Sequence, residues 1–406
     1  MPKTIWYISK YVVPPKYTYV GARGFQLLKE FSKIGHHATL ITSDSNHLAK
    51  PPKFETSYKY EVIDGVHVTW LKTIKYTTSY SLRRVLSWIH FEYKLLLMPR
   101  QKLSKPDVVI VSSLSLLSIL NGLLMRQRYK CKLVLEVRDI WPLTLILIGN
   151  FSRNNIAIRF LSWLEIYAYR NVDLIVGTLP NLKEHVLEVS SSSKPVVCIP
   201  QGVDLSEYEK SENLPENYEK NYIPKGKFII CHTGSIGTAN ALGTLIEAAQ
   251  LLKNHDTIHF LMVGEGALKK EYITKTLDLK NITFAPSISK KAVKSVLQKV
   301  DVVYFSSYKS PLLRFGQSLN KLIDYMMSGK PILASYTGYQ SMINEADCGK
   351  FIPAEDVDAL CDEILRFEKM PENKRQQMGA RGKEWIIKNR QFSTLAKKYL
   401  EHIDAL

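Results

Sequence analysis

The sequence lacks most of the signatures by which common enzyme classes declare themselves. Its five cysteines, Cys131, Cys198, Cys231, Cys348 and Cys361, form no CxxC pair, and no His/Cys/Asp cluster has metal-ligand spacing. An odd, unpatterned set fits a reducing cytoplasm and buried thiols, with no metal expected. The GxSxG elbow and the Walker A loop are absent, and no pair of carboxylates marks a hydrolase. No GxGxxG follows the first strand and no acidic ribose reader follows the second, which argues against a dinucleotide enzyme. Long apolar runs are missing too. The most apolar window, Val108–Met125, is broken by four serines, an asparagine and a glycine, so it reads as strand, loop and helix and not as a membrane span. The opening MPKTIWYISKYVVPP has no apolar core of signal-peptide length.

Acidic residues are scarce: 38 Asp and Glu against 55 Lys and Arg give a formal charge of +17. Such a balance asks for an anionic partner, whether nucleic acid, an anionic membrane or a phosphorylated substrate. An RRM signature and a two-Cys two-His finger are absent, so no nucleic acid is expected. Tyr80–Lys102 favours a membrane surface. It interleaves Arg83, Arg84, Lys94, Arg100 and Lys102 with Leu86, Trp88, Ile89, Phe91 and Tyr93, as a helix lying in the lipid interface would. A helix packed inside a domain with basic ends is the plainer alternative.

What is present is α/β alternation along 406 residues, enough for two cores. Strands are predicted at Thr4–Ser9, His37–Ser43, Asp107–Val111, Leu133–Val137, Leu174–Thr178 and Pro195–Ile199, with a hairpin over Tyr58–Lys72 turning at Asp64-Gly65. Helices are predicted at Gly24–Ile34 and Ile156–Arg170. A polar stretch, Ser206–Lys225, reads as a linker. A second series follows, with strands at Phe228–His232, Ile258–Val263, Ile282–Ala285, Val302–Phe305 and Pro331–Ala334. The expected architecture is two Rossmann-like, doubly wound domains, residues 1–202 and 203–385, with ligands beyond the carboxyl ends of the strands.

Several residues at those ends carry chemistry. Gly21-Ala22-Arg23-Gly24 in the first βα turn lets backbone approach a ligand, with Arg23 able to meet phosphate. Glu136-Val137-Arg138-Asp139 closes a buried strand, where three charges are costly unless they face a site or each other. Gly234, Ser235 and Gly237 follow one strand, and Gly264 and Gly266 the next, as in a phosphate cradle. Phe315–Ser335 reads as a helix capped by Ser318, stopped by Gly329 and Pro331, and followed by a strand. Asn320, Lys321 and Asp324 sit at its start, a lysine for diphosphate and a carboxylate one turn deeper for sugar hydroxyls. A solvated charge pair on an ordinary amphipathic helix is the alternative. Asp356-Val357-Asp358 is formally a DxD, but it opens a helix, where acids are expected.

These segments resemble the GT-B-fold glycosyltransferases of the large retaining family 4, and within it the bacterial L-fucosamine (N-acetyl-L-fucosamine) transferase branch of surface-polysaccharide assembly. The resemblance runs through Lys105–Ser113, Leu135–Leu145, Leu161–Asn181, Ile199–Asp204, His232–Leu242, Met262–Gly266 and Asn320–Pro331. It implies two domains facing a central cleft, with the C-terminal helix, residues 386–406, crossing back onto the first. It implies Lys321 at the donor diphosphate and Asp324 on the ribose, with Gly316 where the family carries a sugar-contacting glutamate. The usual diphosphate clamp falls on Ser235 and Asn240, leaving charge to Lys321, the helix N-terminus, and Arg23, Arg138 or Arg314. Glu136, Arg138 and Asp139 would position donor or acceptor sugar. The implied reaction moves an N-acetylated hexosamine from a UDP-sugar to a polyprenyl-diphosphate-linked saccharide, with no required cofactor, peripheral to the inner face of the plasma membrane. A UDP-sugar 2-epimerase and a non-catalytic nucleotide-sugar-binding scaffold are the rivals.

Overall fold

The computed structural model describes residues 1–18, 22–47, 49–76 and 81–406. Gly21 and Tyr80, singled out above, lie outside these residues. The chain divides into two units, residues 1–202 with 392–406, and residues 203–391.

The first unit is built on eight strands: β1 (Thr4–Ile8), β2 (His37–Ser43), β3 (Tyr58–Ile63), β4 (Val66–Leu71), β5 (Val108–Ser112), β6 (Lys132–Val137), β7 (Leu174–Gly177) and β8 (Val196–Cys198). Their order is β3-β4-β2-β1-β5-β6-β7-β8, and all pairs are parallel except β3 with β4. β1 (TIWYI) and β5 (VVIVS) are buried throughout, as strands covered on both faces must be. The β3–β4 hairpin turns at Asp64 (φ 49°) and Gly65 (φ 78°), the two left-handed residues that match the strand twist. Helices α1 (Arg23–Lys33), α2 (Leu82–Leu96), α3 (Ser118–Tyr129), α4 (Ile156–Asn171) and α5 (Leu182–Ser190) make the crossovers. The Ser81 hydroxyl caps α2 and the Asn155 carbonyl caps α4.

The second unit has six parallel strands in the order β11-β10-β9-β12-β13-β14. These are β9 (Phe228–Thr233), β10 (Ile258–Val263), β11 (Ile282–Ala285), β12 (Val302–Ser306), β13 (Ile332–Ser335) and β14 (Gly349–Ile352). Helices α6 (Gly243–Leu251), α7 (Asn320–Met327), α8 (Val357–Lys369) and α9 (Glu372–Arg390) pack on them. β14 is missing from the sequence reading: four residues at the sheet edge, two of them Gly and Lys, give no alternation to detect.

Two boundaries differ from expectation. The stretch 206–225 is no linker but part of the second unit. Tyr218 (4% exposed) and Ile223 (7%) anchor it in the core, and the Tyr218 hydroxyl donates to Pro286 O at 2.8 Å. The returning helix begins at Phe392 and not at residue 386. Ile386 belongs to the second unit's core, and extended Gln391 separates α9 from α10 (Phe392–Asp404). α10 then packs on α1, with Phe31 and Tyr399 edge to face at 5.8 Å. Among the cysteines, Cys198 on β8 is exposed and the other four are buried.

The charges of β6 and α1 meet in the first unit's core. Arg23 and Glu136 are 1% and 0% exposed and form an ion pair at 2.6 Å. Arg23 Nε donates to Pro200 O at 3.0 Å and Nη2 to Ile199 O at 2.5 Å, while the Tyr7 hydroxyl donates to Glu136 at 2.5 Å. Burial opposes the guanidinium charge, and Glu136 and Tyr7 more than offset it. Burial, then Glu136, pushes the Tyr7 phenol far above its usual range. The expected roles of Arg23 at phosphate and Glu136 at a sugar are therefore corrected: both are core residues whose polar atoms serve each other. Breaking such a pair leaves a bare buried charge. Arg23→Met is expected to cost about 3–5 kcal/mol in urea unfolding; a loss under about 1 kcal/mol would show that the pair is dispensable.

Candidate functional site

β9 and β10 end side by side, and their loops meet backbone to backbone. Gly234 N donates to Val263 O and Ile236 N to Glu265 O, both at 2.9 Å. A Cβ on Gly264 (φ +151°) would lie 1.8 Å from Gly234 O, and one on Gly266 would lie 2.3 Å from Ile236 O. The bare backbones of Gly264 and Gly266 thus serve contact between the two loops, and Gly264 also lines the neighbouring cavity. Gly234 (φ +128°) differs. Its missing Cβ would point toward Lys321 Nζ, 3.8 Å away, so its open face belongs to the cradle. Beside it a cavity of about 290 Å³ is walled by Val263, Ile288 and Val293 and by the residues Thr233, Gly264 and Ser287. Apolar walls next to exposed loop backbone suit a flat base adjoining an anion.

α7 is tied to this cradle from below. The buried Tyr325 hydroxyl accepts from Thr233 N at 3.0 Å and lies 3.3 Å from Thr233 O. That fixes Lys321, on the first turn of α7, whose Nζ donates to Asn240 Oδ1 at 2.6 Å. Asn240 in turn donates to Ser235 O at 2.9 Å and accepts at its carbonyl from Ser306 at 2.7 Å. Asn240 had looked like a missing cation; it positions the cation that is present. Burial lowers Lys321 to about 8. His232, at the end of β9, is fully buried beneath Gly234 and is lowered to about 3, first by burial and then by Lys321. It is a neutral floor.

Asp324, one turn on, is half-buried and paired with Lys290. Burial raises its pKa, and Lys290 opposes the shift. Lys290 carried no signal in the sequence, because the pair spans two elements. α7 starts at Asn320, which is exposed, and its cap position is Leu319; the expected Ser318 cap is corrected by one residue. Gly316 closes a 3₁₀ turn, Pro311–Phe315, at φ +90°, a conformation that accounts for its glycine. Ser235 and Gly237 lie in the cradle loop. Asp356 caps α8 by accepting from Ala359 N at 2.9 Å, the helix-terminal role expected of it. Among the described residues no three His, Cys, Asp or Glu side chains gather as metal ligands.

In the first unit, Arg138 and Asp139 follow β6. The backbone of Arg138 is held by Ser113 Oγ at 3.2 Å and by Thr178 Oγ1 at 3.2 Å. Glu136 has Arg23 as its cation, so Arg138 is not needed to neutralise it. A second cluster, unremarked in the sequence, follows β1. Lys10 is buried, donates to Ser45 O at 2.8 Å, and faces the rings of Tyr11 and Tyr76 at 5.2 and 5.1 Å. Burial lowers it to about 7. Arg84 and Trp88 both donate to the Tyr11 hydroxyl, at 3.2 and 2.5 Å, and Trp88 meets Trp141 edge to face at 5.8 Å. The available signal was a lysine two residues past a fully buried strand, akin to the charge of Glu136 near the end of β6.

The two Rossmann-like α/β units and the family and fold matches that follow give the chain GT-B architecture. Residues 22–207 match the family model described as Glycosyltransferase Family 4, and residues 214–385 the one described as Glycosyl transferases group 1. The chain carries both domains, and it is a glycosyltransferase. It is 22% identical over 301 residues to WcaI of Escherichia coli K12, whose name places it among colanic acid biosynthesis glycosyl transferases; the match covers 71% of this chain and 72% of that protein. It is 27% identical over 164 residues to WbjE of Pseudomonas aeruginosa, named as a glycosyltransferase, covering 40% of each. The fold is shared with a trehalose-6-phosphate structure from E. coli bound with UDP-2-fluoro glucose, at a TM-score of 0.74, 12% identity and 99% coverage of both chains.

The Lys321 ammonium is present below about 8 and lost above it. Binding of inorganic diphosphate, followed by calorimetry, should weaken as pH rises from about 7 to about 9, and Lys321→Met should flatten that dependence. Identical pH profiles in the two proteins would remove Lys321 from the anion site.

Proposed function

We propose that the chain transfers an N-acetylated hexosamine, such as N-acetyl-L-fucosamine, from a UDP-sugar to a polyprenyl-diphosphate-linked saccharide during surface-polysaccharide assembly. The observation that carries the donor half is Lys321 and Asp324 one turn apart beside an open glycine cradle and an apolar cavity. The cavity takes the uracil, Asp324 the ribose hydroxyls and Lys321 the diphosphate. The UDP-sugar in the E. coli structure named above and the colanic acid name of WcaI support this reading.

Cleavage of the anomeric bond leaves its electron pair, and so negative charge, on the departing diphosphate. Groups already aimed at that charge stabilise the transition state more than the ground state. Lys321, held by Asn240, and the backbone amides of Ser235 and Gly237 offset that charge without a metal in this proposal, since Gly234 N and Ile236 N are taken by the neighbouring loop. Lys290 must leave Asp324 for the ribose to bind, and its exposed side chain can do so at small cost. Arg138 and Asp139 are assigned to the sugars. Retention of anomeric configuration is part of the proposal by resemblance alone. Attachment to the inner face of the plasma membrane through residues 80–102 is proposed on their interleaved basic and aromatic residues; no described helix is long and apolar enough to cross a membrane.

UDP release should be measured with a panel of UDP-N-acetylhexosamines, with and without a polyprenyl-diphosphate-linked sugar. Release with one donor only when acceptor is present is the expected result. Lys321→Ala should lower kcat/KM about 10²–10³-fold with little change in thermal stability. Donor binding without release under any acceptor would favour the scaffold, and acceptor-independent conversion of the UDP-sugar would favour the epimerase.

A further inference from the structure

The first unit has an outward surface that the donor site does not use. The crossovers from β4 to β5, β5 to β6 and β6 to β7 all step the same way along the sheet. Right-handed connections therefore place α2, α3 and α4 in one layer on one sheet face, with α1 on the other.

The outer side of this layer is apolar at helical spacing. On α2, Leu82, Leu86, Ile89 and Tyr93 recur at steps of four, three and four and are 83, 51, 54 and 56% exposed. On α4, Ile156, Phe160, Trp163 and Tyr167 repeat those steps at 85, 46, 54 and 39%. The rings of α4 form a ladder, Phe160 to Trp163 at 6.0 Å and Trp163 to Tyr167 at 5.4 Å. α3 adds Leu120 and Leu124. Stripes this wide normally face a core or a partner.

Charge chooses the partner. α2, α3 and α4 contain only two carboxylates, Glu92 and Glu165, and both turn inward. Glu92 accepts from Ser115, Ser118 and Asn121, and Glu165 accepts from Tyr169 and shares a hydrogen bond with His185. The exposed charges on these helices are Arg83, Arg128, Arg159 and Arg170. Two copies joined through α2, α3 and α4 would set these cations against one another, with no exposed acid on those helices to meet them. Anionic lipid headgroups supply the missing charge, and tyrosine and tryptophan favour the depth where headgroups meet acyl chains.

We propose that the outer face of α2, α3 and α4 seats an anionic phospholipid bilayer, with the aromatic ladder of α4 inserted beside the α2 stripe. This extends the membrane reading of residues 80–102 to two further helices and gives the largest insertion to one that reading did not include.

The test is flotation of the full chain with phosphatidylcholine vesicles, with and without phosphatidylglycerol, in the absence of any sugar. Wild-type protein should float only with the anionic vesicles and detach as salt is raised. The double change Phe160→Glu with Trp163→Glu should reduce the bound fraction about tenfold, with circular dichroism and thermal stability unchanged. Leu86→Glu on α2 serves as the second variant should the first fail to fold, and should also weaken binding. Leu277→Glu, on an exposed position of the second unit, should float like wild type. Equal flotation of the α4 and α2 variants with wild type, equal binding to neutral vesicles, or no binding to either overturns the proposal. So does a wild-type dimer, seen by sedimentation, that the double change dissolves while vesicles bind neither protein. Because no nucleotide sugar is present, failure here leaves the donor-site reading standing, and failure of UDP release leaves flotation readable.

Discussion

Two bare backbones meet where β9 and β10 end, and the proposed donor site depends on that contact. The loop after β10 approaches Gly234 and Ile236 so closely that any side chain at Gly264 or Gly266 would drive into a carbonyl. With the loops seated, Gly234 presents an open face, and Tyr325 locks the start of α7 against it through Thr233. Lys321 and Asn240 then have fixed places to stand. A sub-ångström shift in the loops would be transmitted to each, because packed interiors have no slack to absorb it.

Charged residues near the ends of buried strands find two outcomes in this protein. In the first unit, Glu136 is taken up by Arg23 and Tyr7 in the core, while Arg138 is partly exposed and Asp139 exposed past the strand. In the second, the buried His232 is held neutral while burial brings Lys321 down only to about 8, so the cradle keeps a cation that responds to what enters it. Desolvation is the common cause. What differs is whether a carboxylate lies within reach.

The alternation of strands and helices was readable because parallel strands buried on both faces are continuous apolar runs, and glycine or proline marks their ends. The β3–β4 hairpin was readable from Asp64-Gly65 for the same local reason. β14 was not, since an edge strand of four residues has too little pattern. The 206–225 stretch misled because two buried residues, Tyr218 and Ile223, are outvoted by the polar residues around them. Asn240 was invisible as a positioning residue, because its partners, Ser235, Ser306 and Lys321, come from three places in the chain.

By itself, the sequence determined the α/β class, the division into two halves, the glycine turns after β9 and β10, and the pairing of a lysine with an acid one turn apart on α7. Each is a local property, set by periodicity, turn chemistry or spacing along a helix. Tertiary structure alone decided that Arg23 and Glu136 neutralise each other in a core, that Asn240 holds Lys321, that Lys290 sits on Asp324, and that the stripes of α2 and α4 lie in one layer. Those are meetings of residues far apart in the chain, and burial fixes the protonation and availability of each only once the partners are in place.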